Sequence, residues 1–338
     1  MDLATRYMGL ALRNPLVASP SPLSKTLDGV QRLADAGVGA VVLYSLFEEE
    51  LRREAELNAR LADAGTDSFG EALSYLPAGV EDDSNPTHPR RYLSLLERAV
   101  AAVDIPVIAS LNGITPGGWV RYAGAMQDAG AAAIELNIYY LPGDPGTSGR
   151  EVEQRHLDVL SRVKETVSVP VAVKLSPHFS SFSEMALALD RAGADGLVLF
   201  NRFLQPEIDV EALTVVPAAG LSTASEARLP RTWIALLRGR LRASLAASTG
   251  VETPDDVAKY LLAGADAVMS TSALLRHGPG HASWLLGGLT DWMARKGFAG
   301  VEDFRGMLAV PAAVDGSEYE RAGYVAALRA ADAAAYGQ

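Results

Sequence analysis

The chain has 338 residues, of which 49% are hydrophobic, and a formal net charge of -11 at pH 7. The acidic excess argues against a nucleic-acid partner, and no apolar run is long enough for a helix that spans a membrane. The complete lack of cysteine excludes disulfides, thiolate metal sites and a cysteine nucleophile or base.

Two further features concern metals and location. The five histidines, at positions 88, 156, 178, 277 and 281, show no spacing typical of metal ligands, so we expect no metal site. The first residues lack the charged and apolar regions of a signal peptide. Together with the absence of cysteine, this leads us to expect a cytoplasmic protein.

Eight short apolar runs predict eight buried strands in chain order. The runs cover residues 15–18, 40–43, 105–109, 133–136, 170–173, 196–200, 244–247 and 267–269. Nearly every gap between them has the periodicity of an amphipathic helix. This regular alternation of strand and helix predicts parallel βα units.

Four of the runs are entered in the same way, through Ala-Gly and a small residue. The glycines are Gly37, Gly130, Gly193 and Gly264. Each follows a helical stretch, and glycine tolerates the left-handed conformation that ends a helix. We therefore expect a helix to stop at each of these glycines, shortly before a buried strand.

The number of units predicts the fold. Eight alternating units close an α/β fold of the (β/α)8 TIM barrel type, and we predict one such domain over residues 1–338. An open doubly wound sheet is the alternative, although it usually has fewer strands.

Three connections are longer than a barrel needs, and all three follow strands, which places them on the C-terminal face. They lie near residues 45–104, 139–150 and 201–240, and the first should contain a helix over 46–64. Such loops form lids or substrate walls; variable decoration or an oligomer contact is the alternative. After about residue 281 we predict C-terminal helices near 284–296 and 319–335.

The C-terminal ends of barrel strands carry the active site in this fold. Here these ends supply Asn112, Asn137, Asn201, Lys174 and several hydroxyls. The sequence therefore predicts a site rich in hydrogen-bond donors with one fixed positive charge. It lacks the carboxylate pair that glycoside hydrolysis requires.

The ends of the last two strands predict a phosphate site. Thr249 and Gly250 form a short loop before a helix, for which Thr253 is a suitable N-cap, and Thr271 and Ser272 open the next turn. Loops in these positions commonly bind phosphate through main-chain amides. An ordinary βα turn is the alternative.

Lys174 ends an otherwise apolar strand, where a charge is costly unless it is used. It could form a Schiff base with a carbonyl substrate, or stabilise the anionic edge of a reduced flavin. An ion pair with Glu135 on the neighbouring strand is the structural alternative.

Several stretches in this order resemble the class 1 dihydroorotate dehydrogenase family. They are Asn-Pro-Leu-Val-Ala-Ser at 14–19, Glu-Leu-Asn at 135–137, Val-Lys-Leu-Ser-Pro at 173–177, Thr-Gly-Val-Glu-Thr at 249–253 and Ser-Ala-Leu at 272–274. The similarity runs from about residue 3 to about residue 308, and bacterial dihydroorotate dehydrogenase-like proteins share the Asn-Ile-Tyr-Tyr at 137–140. The resemblance implies a TIM barrel with FMN at its C-terminal mouth, a cytosolic homodimer, and oxidation of dihydroorotate to orotate in pyrimidine biosynthesis.

The resemblance also implies roles for single residues. Ala18 and Ser19 would lie against the flavin ring, and Lys174 would face its N1. Asn112 and Asn137 would bind the ring edge or the substrate. The remaining candidates are Asn201 for the substrate, the main-chain groups of Thr249, Gly250, Thr271 and Ser272 for the phosphate, and Tyr44 with Ser45 beside the cofactor.

Two departures from the family pattern concern the substrate half of the site. The family's catalytic base is a Cys or Ser, whereas this chain has Tyr140 at that position, and a second family Asn is missing. The family's Lys at the end of strand two is replaced by Tyr44. Tyr140 would then be the proton donor or acceptor, since a phenol is a weak base near neutral pH. Tyr139 and Arg202 are further substrate candidates, although Arg202 could equally be a solvated charge.

Histidines near the rim are weaker candidates. His178 could contact substrate or remain solvated, and we expect His277 to cap a helix.

Three functions follow from these residues. The first is an FMN-dependent oxidoreductase that acts on a C–C bond next to a carbonyl. The second is a Schiff-base aldolase that uses Lys174. The third is an FMN-binding protein without dehydrogenase activity, which the missing Cys and Asn would explain.

Overall fold

A closed barrel of eight parallel strands forms the centre of the protein. The computed structural model describes residues 1–53, 56, 89–115, 117, 120–203, 206–216 and 220–336. The strands are β1 Thr5–Tyr7, β2 Leu10–Leu12, β3 Leu16–Ala18, β4 Ala40–Phe47, β5 Val107–Asn112, β6 Ala133–Asn137, β7 Val171–Leu175, β8 Gly196–Leu199, β9 Glu207–Asp209, β10 Thr214–Val216, β11 Ser244–Ala247 and β12 Ala267–Ser270.

Helices pack around the barrel and extend the chain at its C-terminal end. They are α1 Leu27–Asp35, α2 Pro89–Ala102, α3 Arg121–Asp128, α4 Gly149–Thr166, α5 Phe182–Arg191, α6 Arg228–Leu237, α7 Pro254–Ala263, α8 Ser272–His277, α9 His281–Lys296 and α10 Gly316–Tyr336. The two helices expected after residue 281 are thus present as α9 and α10. Within the described residues, no helix is long and apolar enough to cross a membrane.

The strand order confirms the predicted TIM barrel. The barrel runs β3-β4-β5-β6-β7-β8-β11-β12, and each of these strands overlaps one of the eight apolar runs. β12 pairs in parallel with β3, with Val268 opposite Leu16, which closes the ring. This closure rules out the open doubly wound sheet.

The Ala-Gly signals also behave as expected. Gly37, Gly130, Gly193 and Gly264 all have positive φ values, between +91° and +116°. Gly264 is the left-handed cap at the end of α7, and its amide donates to the Leu261 carbonyl. The positive φ turns the chain out of each helix and into the next barrel strand.

Side chains of the barrel strands alternate between two cores. On β6, Ile134 and Leu136 face the helices, whereas Ala133 faces the interior of the barrel. The same alternation on β7 directs Val173 and Leu175 outward. Glu135 and Lys174 therefore point into the barrel, where a charge is expensive unless it is paired.

An N-terminal hairpin that the sequence analysis did not predict closes the bottom of the barrel. It consists of β1 and β2, and its Tyr7 and Leu12 are buried in the barrel interior. The Met8 amide donates to Ser244 Oγ at 3.0 Å, at the start of β11. The hairpin therefore covers the N-terminal end of the barrel, opposite the end from which the long connections leave.

The long connections differ in part from the expectation. The helix predicted over 46–64 begins later, because β4 continues to Phe47; residues 48–53 are helical, and most of the rest lies outside the described residues. The connection at 201–240 contains the exposed hairpin β9–β10 and a turn at Ala224–Ala227. Neither the hairpin nor this turn was predicted.

Candidate active site

Strand register brings the predicted polar residues to one end of the barrel. Asn112 on β5 is opposite Asn137 on β6, and Asn137 is opposite Lys174 on β7. Across the barrel closure, Ala18 on β3 is opposite Ser270 on β12. These residues end adjacent strands at the C-terminal face, where the sequence analysis expected the site.

Lys174 has two close polar neighbours. Its ammonium donates to Ser19 Oγ at 3.3 Å and lies 3.5 Å from Glu135 Oε1. The ion pair considered for Lys174 therefore exists. Lys174 remains part of the site, because its side chain also lines a cavity at the C-terminal rim.

The amides of Asn137 and Asn201 form one hydrogen-bonded unit. Asn201 Nδ2 donates to Asn137 Oδ1 at 2.5 Å, and the Asn201 main-chain amide donates to the Leu175 carbonyl at 2.7 Å. Two carboxamides held together in this way present fixed donors and acceptors to a planar polar ligand.

A cavity of about 170 Å³ opens between Lys174 and the turns after β11 and β12. It is lined by Ser19, Pro20, Lys174, Phe200, Asn201, Arg202, Ser222, Ser248, Thr249, Gly250, Val251, Met269, Ser270, Thr271 and Ser272. None of these described lining residues is acidic, and two are cationic. The cavity is therefore suited to an anionic ligand, although the whole chain is negative.

The turn after β11 has an unusual backbone conformation and packs closely against a neighbouring segment of the chain. Thr249 and Gly250 both have positive φ, +82° and +71°. A Cβ on Gly250 would lie 2.8 Å from the Ala227 nitrogen and from the Thr223 carbonyl oxygen, so only glycine fits there. The predicted N-cap is present, since Thr253 accepts a hydrogen bond from the Asp256 amide.

Ser222 is a site residue that the sequence analysis missed. Its hydroxyl donates to Ser272 Oγ at 2.9 Å and accepts from the Gly250 amide at 3.3 Å, so it joins the two turns. It directly precedes Thr223 and Glu226, which form a capping box. This Thr-x-x-Glu spacing is the signal that could have placed Ser222 at a helix start.

The hydroxyl of Thr271, in the turn after β12, is the next feature of the predicted phosphate site. Its hydroxyl is buried and has no hydrogen-bond partner among the described residues. Buried hydroxyls are almost always paired, so an orphan that lines a cavity indicates a missing partner.

The tyrosines after β6 lie at the edge of the site. The Tyr139 ring packs against Phe203 at 4.6 Å between centroids, and the Arg155 guanidinium lies 4.4 Å from the Tyr140 ring centroid. Both tyrosines are half-buried. Neither is among the residues that line the cavity beside Lys174.

A second cavity of about 360 Å³ adjoins the first. The two cavities share Phe200, Asn201, Arg202 and Thr249. His178 and Phe203 line its aromatic side. Phe203, which was not predicted, joins Tyr139 and His178 through ring contacts.

Two charged candidates already have partners. Arg202 Nε donates to Glu226 Oε1 at 2.9 Å, and both side chains remain partly exposed to solvent. His277 lies 2.8 Å from the Glu252 carboxylate, which also binds Arg276. The expectation that His277 caps a helix is wrong, because its ring nitrogen contacts this side chain rather than a helix end.

Tyr44 and Ser45 are placed beside the site rather than in the cavity. Tyr44 packs edge-on against Tyr92 of α2, 5.0 Å between centroids, and burial and then the Glu50 charge raise its pKa to about 12. Ser45 Oγ lies 2.8 Å from Ser110 Oγ. A register shift between Val42 and Ser45 redirects these side chains.

Glu48 is a second residue that the sequence analysis missed. It is buried, and its Oε2 accepts hydrogen bonds from the amides of Ile114 and Thr115 at 2.8 and 3.2 Å. Its other oxygen contacts Arg52. The carboxylate thereby holds the loop that follows Asn112.

Comparison with known proteins identifies the family. The dihydroorotate dehydrogenase family model matches residues 2–293. A dihydroorotate dehydrogenase B (NAD(+)) catalytic subunit of Listeria innocua is 34% identical over 79% of this chain and 85% of its own. Those of Methanothermobacter thermautotrophicus and Methanosarcina mazei are 26% and 29% identical, over 90% and 88% of this chain and 98% and 93% of theirs. The chain therefore belongs to the class 1 dihydroorotate dehydrogenase family, whose members are FMN-dependent oxidoreductases that act on a CH–CH bond.

Proposed function

We propose that this chain oxidises or reduces a C–C bond next to a carbonyl in dihydroorotate or a related dihydropyrimidine, with FMN bound in the cavity beside Lys174. The observation that carries the proposal is the pairing of a buried ammonium with two hydroxyl-rich turns across one cavity. FMN supplies hydride exchange at its ring and a phosphate that anchors it.

The phosphate end of the cofactor fits the turns after β11 and β12. Gly250 allows residues 223–227 to pack closely against the turn after β11, and the orphaned Thr271 hydroxyl can donate to a phosphate oxygen. Ser222 and Ser272 bring further hydroxyls to the same place. We assign the main-chain groups of Thr249, Gly250, Thr271 and Ser272 to the phosphate.

The ring end of the cofactor fits the level of Lys174. Ala18 and Ser19 are buried there, and Ser19 Oγ already accepts a hydrogen bond from the ammonium. A fixed positive charge at the electron-rich edge favours the reduced ring. Asn112 and Asn137 would bind the ring edge or the substrate, and Asn201 the substrate.

Tyr140 is proposed as the proton donor or acceptor. Loss of hydrogen from two neighbouring carbons requires a group that takes one of them as a proton, and the family's Cys or Ser is absent here. Tyr140 lies three residues beyond Asn137, on the loop that leaves β6. Tyr139, stacked on Phe203, would contact the substrate beside it.

Substitution of Tyr140 by Phe tests this role. We expect Tyr140→Phe to abolish reduction of the bound flavin by dihydroorotate under anaerobic conditions and to leave the FMN content unchanged. The matched control is Tyr139→Phe, which removes the neighbouring hydroxyl and keeps the ring that packs on Phe203. Unchanged flavin reduction in Tyr140→Phe would remove Tyr140 from the mechanism.

The same measurement separates the other functions. If neither dihydroorotate nor orotate changes the flavin spectrum of the wild type, the chain binds FMN without this dehydrogenase activity. Trapping of a carbonyl substrate on Lys174 by borohydride would support the aldolase. Its ion pair with Glu135 argues against the neutral amine that a Schiff base requires.

We also propose that the protein is a homodimer that associates through the β9–β10 hairpin. Ile208 and Val215 are cross-strand partners on one face of this hairpin, and both are largely exposed. Leu213 and Val210 extend the exposed apolar surface. A protruding apolar hairpin is typical of an interaction surface.

A further inference from the structure

We propose that Glu135 is a positioning residue that sets the net charge Lys174 presents to the cofactor, and thereby lowers the reduction potential of bound FMN. This inference rests on the proposed function, since it requires FMN beside Lys174. Glu135 itself lies one step deeper in the barrel than the cavity and does not line it.

The geometry isolates this carboxylate with one cation. The Glu135 side chain is 1% exposed, and neither of its oxygens has a hydrogen-bond partner among the described residues. The Lys174 ammonium, at 3.5 Å from Oε1, is its ion-pair partner. Burial of either charge alone is costly, so the contact between the two groups stabilises both.

The buried carboxylate contrasts with others in the described part of the chain. Glu48 accepts two main-chain amides, and Asp190 accepts the amides of Arg242 and Ala243. These bonds give each of them a role in holding a loop. Glu135 accepts no such main-chain hydrogen bond. Its close polar contact is the ion pair with Lys174.

The electrostatic consequence has a definite sign. An unpaired ammonium stabilises negative charge on a neighbouring ring, whereas a carboxylate at 3.5 Å offsets much of that field in a low-dielectric interior. Glu135 therefore makes the flavin harder to reduce than Lys174 would make it without a partner.

The decisive measurement is the midpoint potential of the bound FMN, from spectroscopic redox titration of the holoenzyme. In Glu135→Gln, we expect the ratio of reduced to oxidised FMN at a given potential to rise about tenfold. For a two-electron couple this corresponds to an upward shift of about 30 mV. In Lys174→Met we expect the potential to fall.

The double variant shows whether Glu135 acts through Lys174. If Glu135 acts by offsetting the Lys174 charge, Glu135→Gln should shift the potential less in the Lys174→Met background than in the wild type. An equal shift in both backgrounds would show that the carboxylate does not act through Lys174. Asp190→Asn is the control, because it removes another buried carboxylate near the opposite end of the barrel. We expect it to leave the potential unchanged.

The outcomes distinguish the two proposals. A lower potential in Lys174→Met with an unchanged one in Glu135→Gln would overturn the inference and leave the proposed function intact. Unchanged potentials in both variants would contradict the placement of FMN beside Lys174. If Glu135→Gln does not fold, Glu135→Asp withdraws the charge by one methylene; a smaller upward shift supports the inference, and no shift overturns it.

Discussion

The hydroxyl of Thr271 is buried at the rim of the barrel with no partner among the described residues. We expect Thr271→Val to weaken FMN binding about tenfold or more, because a hydrogen bond to a charged group contributes roughly 1.5–3 kcal/mol. The flavin-free protein should be as stable as the wild type or more so, since an unsatisfied polar group is removed. Fluorescence titration with FMN and thermal unfolding of the apoprotein measure the two effects.

Thr290→Val is the control for this prediction. The Thr290 hydroxyl donates to the Leu286 carbonyl within its own helix, α9. Its loss should leave FMN affinity unchanged. Wild-type affinity in Thr271→Val would mean that the phosphate is bound elsewhere.

Single residues were predictable where local chemistry is unusual. Lys174 stood out as a charge in an apolar strand, and Thr253 as an N-cap before Pro254; both predicted placements agree with the structure. Ser222 was missed because its partners, Gly250 and Ser272, are distant in sequence. The direction of Tyr44 depends on a register shift in β4 that alternation of side chains does not reveal.

The packing of α9 against α7 links two elements on the phosphate side of the barrel. A Cβ on Gly288 would lie 2.3 Å from Pro254 Cγ, at the first turn of α7, whereas the neighbouring Gly287 faces open space. We expect Gly288→Ala to destabilise the protein by about 1–3 kcal/mol through overpacking. Urea unfolding measures the change.

Gly287→Ala is the matched control on the same helix turn. It should stabilise the protein by up to about 1 kcal/mol, because alanine has the higher helix propensity. Equal effects of the two substitutions would show that α9 can move away from Pro254 without cost.

Elements with long apolar runs were predictable, and short ones were not. All eight barrel strands overlap their runs, since a strand buried on both faces leaves a continuous apolar signal. The hairpins β1–β2 and β9–β10 have three-residue strands, which are too short for a periodic pattern. Their formation depends on contacts with the rest of the protein or on the turn between the two strands.

The exposed apolar hairpin β9–β10 should hold two copies of the chain together. We expect the wild type to sediment as a dimer and Ile208→Lys/Val215→Lys to sediment as a monomer, because two charges on one hairpin face oppose its burial. Analytical ultracentrifugation at micromolar concentration measures this. Met307→Lys, at another exposed apolar residue outside the hairpin, should remain dimeric. A monomeric wild type would contradict the proposed interface.

The barrel as a whole was predictable because its repeating unit is visible eight times in the sequence. The single domain over residues 1–338 and the homodimer remain predictions. The substrate half of the site was less predictable, since Phe203 and the second cavity depend on a connection with no repeat and few regular elements.

The closure of the ring also constrains how the chain is made. Thr5 Oγ1 donates to the carbonyl of Asp266, 261 residues later. One edge of β3 can form its hydrogen bonds only after β12 has been synthesised. A nascent polypeptide leaving the ribosome would hold an unfinished, apolar sheet edge until most of its length has been translated. Productive maturation of this molecule therefore requires that the half-built sheet be shielded from its neighbours during synthesis.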